Sequence, residues 1–124
     1  MAYILVMLGG AIGAGARFTV GRMALATMGP NWPWGTLAVN LIGGLAMGLL
    51  AGSLARTGAG GEHARLLIGV GVLGGFTTFS AFTLELVNMI ERGDWLIGLG
   101  YTLASVIGAA VALFGGLALV RALP

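Results

Sequence analysis

The sequence predicts an all-α membrane protein of four transmembrane helices, the third of which is broken near Gly74 and Gly75. Three observations lead to this prediction. Of the 124 residues, 58% are hydrophobic and only 8% are charged, whereas a soluble domain carries about a quarter charged residues. Four hydrophobic segments are each long enough to cross a hydrocarbon core about 30 Å thick. The third segment carries adjacent glycines, hydroxyls and aromatic rings at its centre.

The first two predicted spans cover residues 3–26 and 34–55. No basic region precedes the first span, and no small-residue cleavage site with a polar domain follows it, so we expect a retained span rather than a secretory signal. Pro30 and Pro33 separate the two spans, and proline ends a helix because it has no backbone N–H to donate.

The third and fourth predicted spans cover residues 66–90 and 95–120. The connections are too short for a soluble domain, so residues 1–124 are predicted to form a single transmembrane domain. Tryptophans lie at the span ends, where aromatic residues gather at the membrane–water interface; they are Trp32, Trp34 and Trp95.

The break is predicted from residues 74–82, which read GGFTTFSAF. Lipid cannot satisfy the backbone groups that a helix break sets free, so such a break must be buried in protein or line a wet cavity. Polar residues at that depth are candidates for a solute or ion pathway.

Glycines recur at four-residue spacing on three of the spans. They are Gly9 and Gly13, then Gly44, Gly48 and Gly52, then Gly71 and Gly75. Such stripes let helices approach closely. Four thin helices enclose little space, so we expect a pathway to need a second subunit.

The arginines give almost no bias in orientation. With four spans, one side of the membrane holds Arg56, Arg65 and Arg121. The other side holds Arg22 and Arg92, with Arg17 near it. Under the positive-inside rule, two interpretations fit: one orientation prevails for reasons the charges do not show, or the chain inserts both ways and forms an antiparallel dimer.

Asn40 lies inside the second span, with Thr36 one turn earlier on the same face. A buried amide needs hydrogen-bond partners. It can form a helix–helix hydrogen bond, or it can line a polar pathway together with hydroxyls from another span. Both interpretations stay open at this point.

Phe79 and Phe82 are spaced i, i+3 and are therefore neighbours on one helix face. They can simply pack, or they can present the positive ring edge to an anion. Asn40, Ser80 and Thr83 would then add donors without a full charge, which suits an anion that must shed water and still leave quickly.

Several other polar residues have two interpretations each. Arg17 can snorkel to the interface or attract anions into a vestibule. Glu85 can be a paired carboxylate or a pathway residue. On the fourth span, hydroxyls can bond across helices or join the pathway; these belong to Tyr101, Thr102 and Ser105.

Composition excludes several classes of function. Cysteine is absent and His63 is the one histidine, so disulfides, thiolate metal sites and cysteine nucleophiles are ruled out. The net charge of +2 comes from scattered arginines, and no basic cluster exists to bind nucleic acid. We see no nucleophile–base pair and expect no enzyme.

These residues resemble the Fluc fluoride-channel family, also called CrcB. The resemblance covers almost the whole chain and is carried by three strings. They are GAGARF at residues 13–18, WGTLAVNLIG at residues 34–43 and GGFTTFSAFTLE at residues 74–85.

The resemblance implies an antiparallel, dual-topology homodimer with two pores that export fluoride passively across the plasma (cell inner) membrane and so lower cytoplasmic fluoride. Asn40, Phe79 and Phe82 match pore-lining positions, with Thr83 and Ser105 as companions. Arg17 matches the position of a vestibule arginine in the family.

The resemblance also implies a structural sodium ion at the two-fold axis of the dimer. Backbone carbonyls at the break would hold it, at Gly74 and Thr77. A broken helix releases carbonyls that lack i+4 partners, and four such oxygens from two subunits suit a hard cation.

Two alternatives come from different classes of protein. A small multidrug exporter shares the four spans, but proton-coupled export needs a titratable acid within the membrane, and the first span carries Arg17 instead. In a non-transporting assembly subunit, the glycines and Asn40 would merely pack. A fluoride flux assay separates these alternatives from the channel.

Overall fold

Four long helical segments make up the computed structural model, which describes residues 1–58 and 61–124. The first two are α1 (Ala2–Met28) and α2 (Trp34–Thr57). The third span is assembled from α3 (Glu62–Ala64), a π-helical segment (Arg65–Leu73), α4 (Gly74–Phe76) and α5 (Ser80–Glu91). The last is α6 (Trp95–Ala122). All four are long and apolar enough to cross a membrane, so the predicted all-α, four-span architecture is confirmed.

The third span is interrupted after its glycine pair rather than at it. Gly74 and Gly75 are helical and belong to α4, whereas Thr77 is extended, with φ −76° and ψ 158°. Helix resumes at Ser80. The predicted interruption is present, but it begins two residues later than the glycines. Gly75 serves packing instead: a Cβ there would lie 2.6 Å from the Gly10 carbonyl oxygen of α1.

The glycine stripe of α2 forms its contact with α6. A Cβ on Gly44 would lie 2.6 Å from the Ala109 carbonyl oxygen, and one on Gly48 would overlap the Leu113 carbonyl oxygen. Gly116 of α6 is equally close to α2. The two backbones touch, because no side chain separates them.

The stripe of α1 meets the third span in the same way. Cβ atoms on Gly9 and Gly13 would overlap carbonyl oxygens of the π-helical segment, and one on Gly71 would lie 2.8 Å from the Gly9 Cα. The predicted use of the spaced glycines as close helix contacts is therefore confirmed. The fold pairs α1 with the third span and α2 with α6.

Arg56, at the end of α2, caps the end of α6. Its guanidinium donates to the carbonyl oxygens of Val120 (2.9 Å), Leu123 (3.2 Å) and Pro124 (2.9 Å). The last carbonyls of a helix have no partners of their own. Arg56 therefore fixes the register of α2 and α6 at the end opposite the Gly29–Pro33 turn.

Substitution of Gly48 by alanine should destabilise the fold. The added methyl would meet the Leu113 carbonyl oxygen, which belongs to backbone and cannot swing away. Overpacking of this kind costs about 1–3 kcal/mol. Thermal unfolding in detergent, followed by size-exclusion chromatography, should show a lower midpoint for Gly48→Ala. Gly115→Ala is the control, because nothing lies within 4 Å of a Cβ at that position. Equal midpoints for the two variants would contradict the close contact.

Candidate functional site

A groove of about 450 Å³ lies between α2, the break in the third span and α6. Its walls are mainly apolar, and none of the described residues that line it carries a carboxylate. Six residues predicted from the sequence as site residues line it together. They are Asn40, Gly74, Thr77, Phe79, Phe82 and Ser105.

Asn40 and the backbone of Thr78 form a reciprocal pair of hydrogen bonds. Asn40 Nδ2 donates to the Thr78 carbonyl oxygen at 3.0 Å, and the Thr78 N–H donates to Asn40 Oδ1 at 2.9 Å. Asn40 therefore forms the helix–helix hydrogen bond, which was one of the two interpretations of this residue. Because Asn40 also lines the groove, the two interpretations are compatible.

The break leaves backbone carbonyls without their helical donors. In an unbroken helix the Thr78 N–H would donate to the Gly74 carbonyl, but here it donates to Asn40 Oδ1. The next carbonyl, that of Gly75, accepts from Arg17 Nε at 3.1 Å. Side chains from α1 and α2 therefore support the interruption from both sides.

The two phenylalanines differ in their surroundings. Phe82 is 6% exposed and Phe79 is 75% exposed, although their ring centroids are only 5.7 Å apart. The Phe82 ring also packs on Tyr101, at 5.0 Å between centroids. Phe82 is held by α6, whereas Phe79 projects from the open side of the groove.

The two predicted hydroxyl residues, Ser105 and Thr83, differ in position and in bonding. Ser105 is 7% exposed, and its Oγ has no hydrogen-bond partner among residues 1–58 and 61–124. Thr83 does not line the groove. Its hydroxyl donates back to carbonyl oxygens of its own turn, at Phe79 (3.1 Å) and Ser80 (3.0 Å). Of these two residues, Ser105 is the one whose hydroxyl stays unused among the described residues.

Glu85 is a paired carboxylate. Thr36 Oγ1 donates to its Oε1 at 2.7 Å and the Tyr101 hydroxyl donates to its Oε2 at 2.6 Å. Three spans therefore meet at this residue. The sequence left Glu85 and Tyr101 with two interpretations each, and the structure gives both of them the cross-helix bond.

Arg17 faces a second pocket, of about 250 Å³, beside the groove. Arg22, five residues further along α1, lines the same pocket and stacks over the Phe18 ring at 5.9 Å. Within the described parts of the chain neither arginine forms an ion pair. Thr78 lines both the pocket and the groove, so the pocket and the groove adjoin at the break.

Two participants were missed by sequence reasoning. The main chain of Thr78 has no signal in a sequence, since any residue has an N–H and a carbonyl. Arg22 also had no clear signal, because it lies five residues after Arg17, whereas neighbours on one helix face are three or four residues apart. No cluster of acidic or histidine side chains that could hold a metal occurs in the described ranges.

Comparison with known proteins agrees with this architecture. The family model described as "CrcB-like protein, Camphor Resistance (CrcB)" matches residues 4–117. A protein of Sphingopyxis alaskensis named "Fluoride-specific ion channel FluC" is 56% identical over 119 residues, which are 96% of this chain and 94% of the relative.

Two further relatives carry the same name. The protein of Mesorhizobium japonicum is 54% identical over 121 residues, 98% of this chain and 97% of the relative. That of Phenylobacterium zucineum is 57% identical over 121 residues, 97% and 95% of the two chains. With four helices able to span a membrane and a family match over nearly its full length, this chain is an integral, multi-pass membrane protein that belongs to the CrcB family.

Proposed function

We propose that this protein is a fluoride-selective ion channel that lets fluoride leave the cell passively. The observation that carries the proposal is the groove at the break, which combines polar hydrogens with aromatic rings and has no carboxylate among the described residues in its walls. The relatives at 54–57% identity are named fluoride-specific ion channels. Because none of them is named as an enzyme, we propose no catalysis.

The chemistry of the groove suits a small anion. Asn40 Nδ2 has a second hydrogen beyond the one given to Thr78, and the buried Ser105 hydroxyl has no partner among the described residues. A buried donor left unsatisfied costs about 1–3 kcal/mol. An anion in the groove would satisfy both donors, and the positive edges of Phe79 and Phe82 would face it.

Arg17 and Arg22 supply attraction without tight binding. Their pocket adjoins the groove, and their positive charge would raise the local concentration of anions. A full charge within the groove would hold fluoride too strongly for rapid release, whereas neutral donors would let it leave. We therefore assign Arg17 to the vestibule, and Asn40, Phe79, Phe82 and Ser105 to the pore.

A second copy of the chain would complete the pore, as an antiparallel, dual-topology homodimer. In one chain the groove is open and Phe79 is 75% exposed beside it. The even distribution of arginines between the two sides permits both orientations. Thr83, whose hydroxyl lies outside the groove of its own chain, would reach a pore only across such an interface.

The carbonyls at the break fit a structural sodium ion. Gly74 has lost its helical donor to Asn40, Thr77 is extended, and both line the groove. Two oxygens from each subunit would give a four-oxygen cage for a hard cation. The ion would hold the two interrupted spans together. The hydrogen bond from Arg17 would keep the neighbouring Gly75 carbonyl turned away from the sodium ion.

The test of function is passive fluoride flux from liposomes. A membrane potential of 100 mV is worth about 2.3 kcal/mol per charge, or about a fiftyfold gradient at equilibrium. Vesicles loaded with fluoride and held negative inside should lose it to that ratio, measured with a fluoride electrode, without a proton gradient. Proton-coupled uptake of organic cations with no fluoride flux would favour the exporter. Absence of both activities would favour an assembly subunit.

Removal of sodium should weaken the dimer. If carbonyls hold the ion, replacing sodium by N-methylglucamine should lower the thermal midpoint of the purified dimer in detergent. Thr77→Val should keep this sodium dependence, because the variant retains the carbonyl and loses only the hydroxyl, which bonds to Leu73 in its own span. A midpoint independent of sodium would remove the cation from the proposal.

A further inference from the structure

The orientation of the Asn40 amide is set by the backbone it contacts. Thr78 presents an N–H and a carbonyl oxygen to the same side chain, at 2.9 Å and 3.0 Å. Rotating the amide by half a turn would place Nδ2 against the N–H and Oδ1 against the carbonyl oxygen. Both hydrogen bonds would then become repulsive contacts. Only one orientation satisfies all four groups.

This orientation decides what Asn40 shows to the groove. Oδ1, the atom that would repel an anion, is covered by the Thr78 N–H. Nδ2 carries two hydrogens, of which one bonds to the Thr78 carbonyl oxygen and the other has no partner among the described residues. Because Asn40 lines the groove, the side chain offers it a hydrogen with the acceptor turned away.

We infer that the main chain of Thr78 positions Asn40 for anion permeation by holding its amide with a hydrogen toward the groove and its oxygen shielded. The inference rests on the proposed function, since fluoride is the anion that would meet this hydrogen. A freely turning amide would present its oxygen part of the time and would repel the ion. The helix break is then required for permeation, because it frees the Thr78 N–H, and that N–H orients the Asn40 amide.

The test removes the Thr78 N–H and keeps the side chain, although the ester also makes the preceding Thr77 carbonyl a weaker acceptor. An amide-to-ester change at position 78, made with the α-hydroxy analogue of threonine, replaces the N–H by an ester oxygen while the side chain stays. The same analogue at Thr19 is the control, because Thr19 lies within α1 and loses one ordinary helical hydrogen bond.

Two readouts separate positioning from folding. The first is fluoride efflux from liposomes. The second is the side-chain amide signal of Asn40 in ¹⁵N-asparagine-labelled protein, which contains three asparagines, Asn31, Asn40 and Asn88. That signal is identified by its loss in Asn40→Ser, and its shift on fluoride titration reports whether the amide still meets the ion.

We expect the ester at 78 to lower efflux about tenfold or more and to abolish the fluoride-induced shift of the Asn40 signal. The ester at 19 should retain both the efflux and the shift. An unchanged shift and efflux in the ester at 78, with a conducting wild type, would overturn the inference and leave the proposed function intact. Absence of efflux in the wild type would instead reject the proposed function.

Discussion

Asn40→Asp should abolish fluoride flux. An ionised carboxylate would place a negative charge on the anion pathway and an oxygen against the Thr78 carbonyl oxygen, which now accepts a hydrogen bond from Nδ2 at 3.0 Å. Two like charges 4 Å apart repel by about 4 kcal/mol at an effective dielectric constant near 20, so the loss should reach about a thousandfold. A protonated aspartate could keep both bonds to Thr78, but it would have no hydrogen left for the groove.

Initial efflux from liposomes, measured with a fluoride electrode, checks this prediction. Asn31→Asp makes the same chemical change in the exposed turn between α1 and α2, and it should change the rate by less than about twofold, as surface charges are screened. Undiminished flux in Asn40→Asp would remove Asn40 from the pathway. Its bonds to Thr78 would then have only a structural role.

Phe82→Ile should impair flux strongly while the protein stays folded. Isoleucine keeps most of the apolar volume at this buried position but removes the ring whose edge would face the anion. It also removes the ring contact with Tyr101, at 5.0 Å between centroids. Aromatic contacts are worth about 0.5–1.5 kcal/mol beyond their area; losing a contact of that size with the anion corresponds to a decrease in flux of about tenfold.

Phe114→Ile is the matched control for Phe82→Ile. Phe114 lies on α6 and is 69% exposed, so its replacement should leave flux near the wild-type rate. Size-exclusion chromatography of both variants checks that the folded protein persists. A fluoride flux at the wild-type rate in Phe82→Ile would favour the alternative in which Phe79 and Phe82 are ordinary packing residues.

The four spans could be predicted because their signals are local. Hydropathy over about 20 residues identifies a membrane helix, and Pro30 with Pro33 marks the turn between the first two. Glycine spacing predicted the close helix contacts for a similar reason, since residues four apart share a helix face. In the structure Gly9 meets the third span and Gly48 meets α6, but the spacing alone did not say which helices would pair.

The exact position of the break could not be predicted from its own residues. The glycine pair indicated an interruption, but both glycines stay helical. The helix ends where Asn40 of another span takes the Thr78 N–H. Thr83 illustrates the same limit: its hydroxyl beside Phe79 and Phe82 made it a candidate donor, but that hydroxyl bonds within its own helix.

The sequence alone determined the class of this protein, the number of its spans and the segment in which a helix would be interrupted, because hydropathy, proline and glycine act over a few residues. Tertiary structure decided how the polar groups are used: Asn40 with Thr78, Glu85 with Thr36 and Tyr101, and Ser105 with no partner in the described chain. These pairings join residues that are 16 to 49 positions apart. Hydrogen bonds need angstrom proximity, which only the packing of whole helices provides.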